Sequence, residues 1–173
     1  MARIIAGFGG IGKTTLAKKY KNVLDLESTP FKYSIENYGE LDAEALKGKG
    51  IMVKTLNPNF PSNYINAIKD NFDKYDYILV WCHPEEILPH FDNNDIEYEL
   101  FIPTRDALDE YRQRFINRGN SEEYVNRVSS KEDYDKRLPQ FQATGKPIVF
   151  LQSGETLESY LKNNKDYPPL IEK

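Results

Sequence analysis

Arg3-Ile4-Ile5-Ala6-Gly7-Phe8-Gly9-Gly10-Ile11-Gly12-Lys13-Thr14-Thr15-Leu16 decides the reading of this 173-residue chain. Residues 3–6 are an apolar run suited to a buried strand. Residues 7–14 match the pattern G-x-x-x-x-G-K-S/T in full, and residues 15–20 continue as a helix. Strand, glycine-rich turn and helix is the order in which main-chain N–H groups close around a phosphate while the helix N-terminus adds partial positive charge. Gly7, Gly9, Gly10, Ile11, Gly12, Lys13, Thr14 and Thr15 are therefore the expected phosphate-binding residues. Within them Lys13 reaches the β- and γ-phosphates and the Thr14 hydroxyl ligates Mg²⁺.

The same glycines also spell G-x-G-x-x-G at Gly7, Gly9 and Gly12, with Asp25 or Glu27 about twenty residues on, the spacing of a dinucleotide fingerprint. That pattern makes no use of Lys-Thr directly after its last glycine. It would also require a second region bearing catalytic groups, for which 173 residues leave little room. The phosphate-loop reading is preferred.

Composition narrows the class. A chain of this length with 39% hydrophobic residues suffices for one core, and a single domain over residues 1–173 is expected. The net charge of −4 argues against extended nucleic acid as a partner. One cysteine, Cys82, permits no internal disulfide and fits a reducing compartment. The first fifteen residues are taken up by strand and loop, which reads against a signal peptide. No apolar stretch approaches the roughly 20 residues of a membrane span. A cytoplasmic protein with no membrane partner is expected.

Five apolar runs, residues 3–7, 22–26, 77–82, 98–102 and 147–151, alternate with segments of helical spacing. This predicts an α/β fold with a five-stranded parallel sheet between two helical layers. Residues 28–61 depart from the rhythm and read as an insertion over the strand ends, with a short helix at 41–46. Residues 105–137 are dominated by charge and read as an arginine-rich lid. The tail from residue 162 reads as loose.

Ligands of open parallel sheets bind beyond the carboxyl ends of the strands. Asp25 and Glu27 follow the second run and, by alternation, share a side, so either can face a metal or an acceptor hydroxyl. The third run ends in Cys82-His83-Pro84 and lacks the acid often found there. Asp25 is therefore the expected metal-linked carboxylate, His83 is read as structural, and Asp76 falls at the wrong end of the sheet. If Thr104 caps a helix to residue 117, Arg105 and Arg112 share one face, and Arg114 and Arg118 lie opposite. Either pair suits phosphate, because the guanidinium fork stays charged and grips oxygens bidentately. Glu110 with Arg114 and Asp109 with Arg112 would make ion pairs along that helix.

With these residues in place the chain resembles the small P-loop kinases of the P-loop NTPase superfamily, the group of nucleoside monophosphate kinases and shikimate kinase. Residues 7–14 carry the superfamily motif (Walker A). Residues 114–123, Arg-Phe-Ile-Asn-Arg-Gly-Asn-Ser-Glu-Glu, resemble the start of the guanylate kinase lid, with Phe for Leu and Asn for Thr. Asp25-x-Glu27 is similar to the D-x-D of shikimate kinase. The resemblance implies a three-layer P-loop NTPase fold that binds ATP and Mg²⁺. It implies that Lys13, Arg114, Arg118 and Asp25 act in phosphoryl transfer, and that Thr14 and Asp25 hold the metal. It further implies that Gln152 to Glu155 border the adenine and that the 28–61 insertion, with Tyr33, Ser34 and Tyr38, binds the acceptor. The expected acceptor is a nucleoside or deoxynucleoside monophosphate. The alternatives are a nucleotide-binding switch with weak turnover and a kinase of a non-nucleotide metabolite.

Overall fold

The computed structural model describes residues 1–34 and 55–173. Its main sheet contains β1 (Arg3–Gly7), β2 (Val23–Asp25), β5 (Tyr77–Val80), β6 (Glu99–Pro103) and β7 (Ile148–Leu151), all parallel, in the order β2-β5-β1-β6-β7. Each strand falls on one of the five apolar runs. The central strands have no water-facing side: Ile5, Ile78, Leu79, Val80, Leu100 and Phe101 are completely buried. This is why the runs are continuously apolar instead of alternating.

The helices are α1 (Lys13–Lys19), α2 (Thr29–Lys32), α3 (Ser62–Lys69), α4 (Leu88–Asp92), α5 (Leu108–Asn117), α6 (Glu122–Val128), α7 (Lys131–Ala143) and α8 (Leu157–Asn163). From β1 the chain crosses β5 to reach β2 at one edge, and every later connection runs towards the other edge. Right-handed crossovers therefore put α1 on one face and the helices after β2, β5 and β6 on the other. The closing helix α8 returns to pack on α1. The result is an α/β sheet covered on both faces. The direction of the connections reverses beside β1, and such a switch point opens a crevice at the carboxyl ends of the strands.

Three expectations need adjusting. Within the 28–61 insertion the chain forms α2 and a small antiparallel ribbon, β3 (Tyr33–Ser34) with β4 (Thr55–Leu56). The helix read at 41–46, and Tyr38, lie outside the described residues. The 104–117 segment opens with a 3-10 turn (Arg105–Ala107) before α5, and Thr104 makes no side-chain cap. The tail is not loose. Asn22 donates to the Pro169 carbonyl (2.9 Å) and accepts from the Ile171 N–H (2.9 Å), while Tyr77 donates to Pro168 (2.5 Å). Tyr167 lies under the Arg3 guanidinium, 4.5 Å from its ring centre, and edge-on to Phe101. The aromatic and amide partners of the tail come from distant strand ends, so its own composition did not reveal the docking.

Among the described residues no helix is long and apolar enough to cross a membrane.

Candidate functional site

The turn after β1 is shaped by its glycines. Gly12 has φ 101° at the N-cap of α1, and Gly10 has φ 87° with the ring of Phe115 behind it. A Cβ at Gly10 would stand 3.0 Å from Phe115 and 3.1 Å from Tyr111, so this left-handed turn has room only for hydrogen. Below it Ile11 is completely buried, and its carbonyl accepts from the Leu157 N–H (3.0 Å), anchoring the loop to the start of α8. Gly9 and Thr15 are exposed.

Lys13 arches over the turn, its ammonium donating to the Gly7 (2.8 Å) and Phe8 (3.1 Å) carbonyls. On the next residue the Thr14 hydroxyl donates to Asp25 Oδ2 at 2.7 Å. Asp25 reaches this position because β2 ends level with β5, Asp25 facing Leu79 in register. Beyond it Glu27 accepts from the Thr29 hydroxyl (3.1 Å). Tyr64 of α3 locks the two strand ends together: its buried hydroxyl donates to the Leu26 carbonyl (2.7 Å) and accepts from the Trp81 N–H (3.1 Å). Burial pushes that hydroxyl's pKa far up, so it stays protonated.

Lys13, Asp25 and Glu27 line one cavity of about 340 Å³ at the carboxyl ends of the strands. Lys32 and Tyr33 wall it from α2 and the ribbon, and Trp81 and His83 from the turn after β5. Tyr124, Arg127, Arg137 and Phe141 close it from α6 and α7. Lys32 pairs with Glu86 and sits 4.8 Å from the Trp81 ring centre. His83 Nδ1 accepts from the N–H groups of Glu85 (3.3 Å) and Glu86 (3.2 Å). Burial, more than the nearby Arg137 and Lys32, lowers its pKa below the ordinary histidine value. A ring that accepts two backbone bonds at one nitrogen and resists protonation is holding a turn, in line with its reading as structural. Asp76 sits at the opposite end of β5, accepting from Asn22 (2.7 Å).

Arg114 is at the glycine-rich turn, though not among the residues lining this cavity. It donates to the Gly10 carbonyl (2.8 Å), pairs with Glu110, contacts the Glu155 carbonyl (3.4 Å) and stacks on Tyr111. Glu110 in turn accepts from the Gly154 N–H (2.7 Å), the main cause of its lowered pKa. The 152–155 turn, expected to border a base, is thus tied through Arg114 and Glu110 to the glycine-rich turn at Gly10. Arg118 lies over the Phe115 ring, 5.8 Å from its centre, also away from the cavity lining. Arg105 pairs with Asp135, and Arg112 reaches Ser129 (3.4 Å). Of the expected ion pairs along α5, Glu110 with Arg114 forms, while Asp109 pairs with Lys131.

The residues that sequence reasoning passed over are Arg127, Arg137, Lys32 and Trp81. Their only signals were membership in the arginine-rich segment for Arg127 and Arg137, in the insertion for Lys32, and a place at the end of the third apolar run for Trp81. Among the described residues no cluster of three or more His, Cys, Asp or Glu side chains is arranged to hold a metal. The donors present, a threonine hydroxyl and a carboxylate oxygen, are hard oxygen ligands. They suit Mg²⁺ that draws its remaining ligands from phosphate and water.

No protein-family model matches the chain, and no curated protein matches its sequence.

Proposed function

We propose that the protein is an Mg²⁺-dependent P-loop kinase that moves the γ-phosphoryl group of ATP to a small acceptor, with a nucleoside or deoxynucleoside monophosphate as the acceptor of first choice. One observation carries this reading: the Thr14 hydroxyl and the Asp25 carboxylate meet at 2.7 Å beside the glycine-rich turn, and Asp25 lines the same cavity as Lys13. A dinucleotide fold has no use for that pair. A phosphoryl-transfer site needs it, because Thr14 and Asp25 are where Mg²⁺ would be held. The third strand's missing acid is also accounted for, since Asp25 stands beside that strand's end on β2.

The chain's own residues divide the work. Gly9, Gly10, Gly12 and the first turn of α1 present N–H groups to the phosphates. Lys13 exchanges its two carbonyl contacts for phosphate oxygens and neutralises charge on the transferring group. Asp25 orients the Thr14 hydroxyl, and Glu27 lies on the side from which an acceptor hydroxyl or phosphate arrives. Arg114 keeps the loop shaped through Gly10. The metal, when bound, withdraws charge from the β- and γ-phosphate oxygens.

The direct test is single-turnover transfer from γ-labelled ATP to a panel of nucleoside and deoxynucleoside monophosphates. Label on at least one acceptor, lost in Lys13→Ala, is the expected result. Normal ATP binding with label on none of them removes the nucleotide-kinase reading.

A further inference from the structure

The cavity's charges are mostly matched within the protein. Lys32 is held by Glu86, Asp25 by Thr14, Glu27 by Thr29, and Lys13 by two carbonyls. The arginines on the α6 and α7 side are different. Among the described residues, Arg137 makes no hydrogen bond or ion pair. Arg127 has only a stacking contact with Tyr124, 5.5 Å from the ring centre. Arg137 is partly buried, so its charge is kept at some cost in hydration with no carboxylate in return.

Arg137 stands on a helix tied to the cavity wall. Three residues on along α7, Gln140 donates to Glu85 (2.8 Å), pinning the helix to the 83–86 turn at the cavity wall. On that turn His83 is close enough to feel the Arg137 charge, with its pKa lowered chiefly by burial, Glu86 is paired with Lys32, and Glu85 accepts from Gln140. A guanidinium so placed is built to receive an anion from outside. Trp81, Tyr124 and Phe141 give the same cavity flat apolar walls.

We infer that Arg137, with Arg127 beside it, anchors an anionic group carried by the acceptor itself, a phosphate monoester or a carboxylate. These two are then the specificity-determining residues of the site, separate from Lys13, which serves the donor's phosphates. The inference rests on the kinase reading for the word acceptor, but the anion site stands on geometry alone.

The chain's one tryptophan lines the cavity, so its fluorescence reports occupancy without any turnover. The experiment titrates the protein, with and without saturating Mg²⁺ and a non-hydrolysable ATP analogue, with AMP, GMP and dTMP. The matching uncharged nucleosides serve as controls, and D-gluconate as a carboxylate lacking phosphate. Saturable change with a monophosphate or with gluconate, but not with the nucleosides, supports the inference and names the anion. Arg137→Gln should weaken that binding at least about tenfold, as expected for one lost charge-assisted hydrogen bond. It should leave the affinity for the ATP analogue unchanged. Arg137→Lys should recover part of the loss, and Lys13→Ala should show the reverse pattern. Equal responses to nucleosides and anions, no response to any anion, or equal weakening of analogue and anion by Arg137→Gln overturns it. Arg137-dependent anion binding without ATP-analogue binding would instead discard the kinase reading and leave the anion site standing.

Discussion

Asp25 is the residue on which the proposed function turns most directly. Its carboxylate holds the Thr14 hydroxyl at 2.7 Å, so Asp25→Asn keeps the shape of the contact but removes its charge. A loss of at least about tenfold in kcat is expected, with a shift to higher Mg²⁺ requirement. Steady-state kinetics across a magnesium series checks this, and an unchanged kcat would assign Asp25 to structure. Tyr64 acts one step back, bridging Leu26 and Trp81. Tyr64→Phe leaves two partly buried backbone groups without that partner and should cost about 1–3 kcal/mol in urea unfolding. Gly10→Ala adds a Cβ against Phe115 in a left-handed turn. It should abolish nucleotide-induced thermal stabilisation while the apo protein still folds, as differential scanning calorimetry would show.

Elements in this chain are tied by hubs of charge. Glu158 on α8 accepts from Lys19 and Tyr20 and pairs with Lys162, and those bonds pull its carboxyl pKa from 4.5 to about 2. A depressed acid contributes stability that is complete above its unfolded pKa and is lost as pH falls towards the folded one. Wild type should therefore lose stability between about pH 5 and pH 2, and Glu158→Gln should flatten that slope. Thermal unfolding across the acid range, followed by circular dichroism, gives the comparison; parallel slopes would mean that the Glu158 pKa is the same in the folded and unfolded chain. The same scale explains how the arginines were sorted. Spacing along one continuous helix set Arg114 and Arg118 apart from Arg105 and Arg112. In the structure the chain turns at Gly119, where φ is 75°, and again at Ser129 and Ser130 between α6 and α7. Those turns bring Arg127 and Arg137 to the cavity. A helical wheel drawn on one segment holds no information about a later one.

For the whole molecule, legibility followed burial and local chemistry. Strands covered on both faces wrote themselves as apolar runs, and the glycine-rich turn into α1 was readable because its glycines, lysine and threonine are contiguous. The nearness of Thr14 and Asp25 was anticipated from the carboxyl end of the second run and from the resemblance, while its geometry is set by the strand order, which puts β5 between β1 and β2. The docking of the tail on Asn22 and Tyr77 was hidden, since both partners lie far away in sequence. Calorimetry with Mg²⁺ and purine triphosphates tests the central claim of a polyphosphate grip at residues 7–15 most directly. ATP or GTP should bind with measurable heat, and at about a hundred times its Kd should stabilise the fold by about 2.7 kcal/mol. Lys13→Ala should remove most of both effects. No heat from any purine triphosphate, or binding that survives unchanged in Lys13→Ala, would contradict the account.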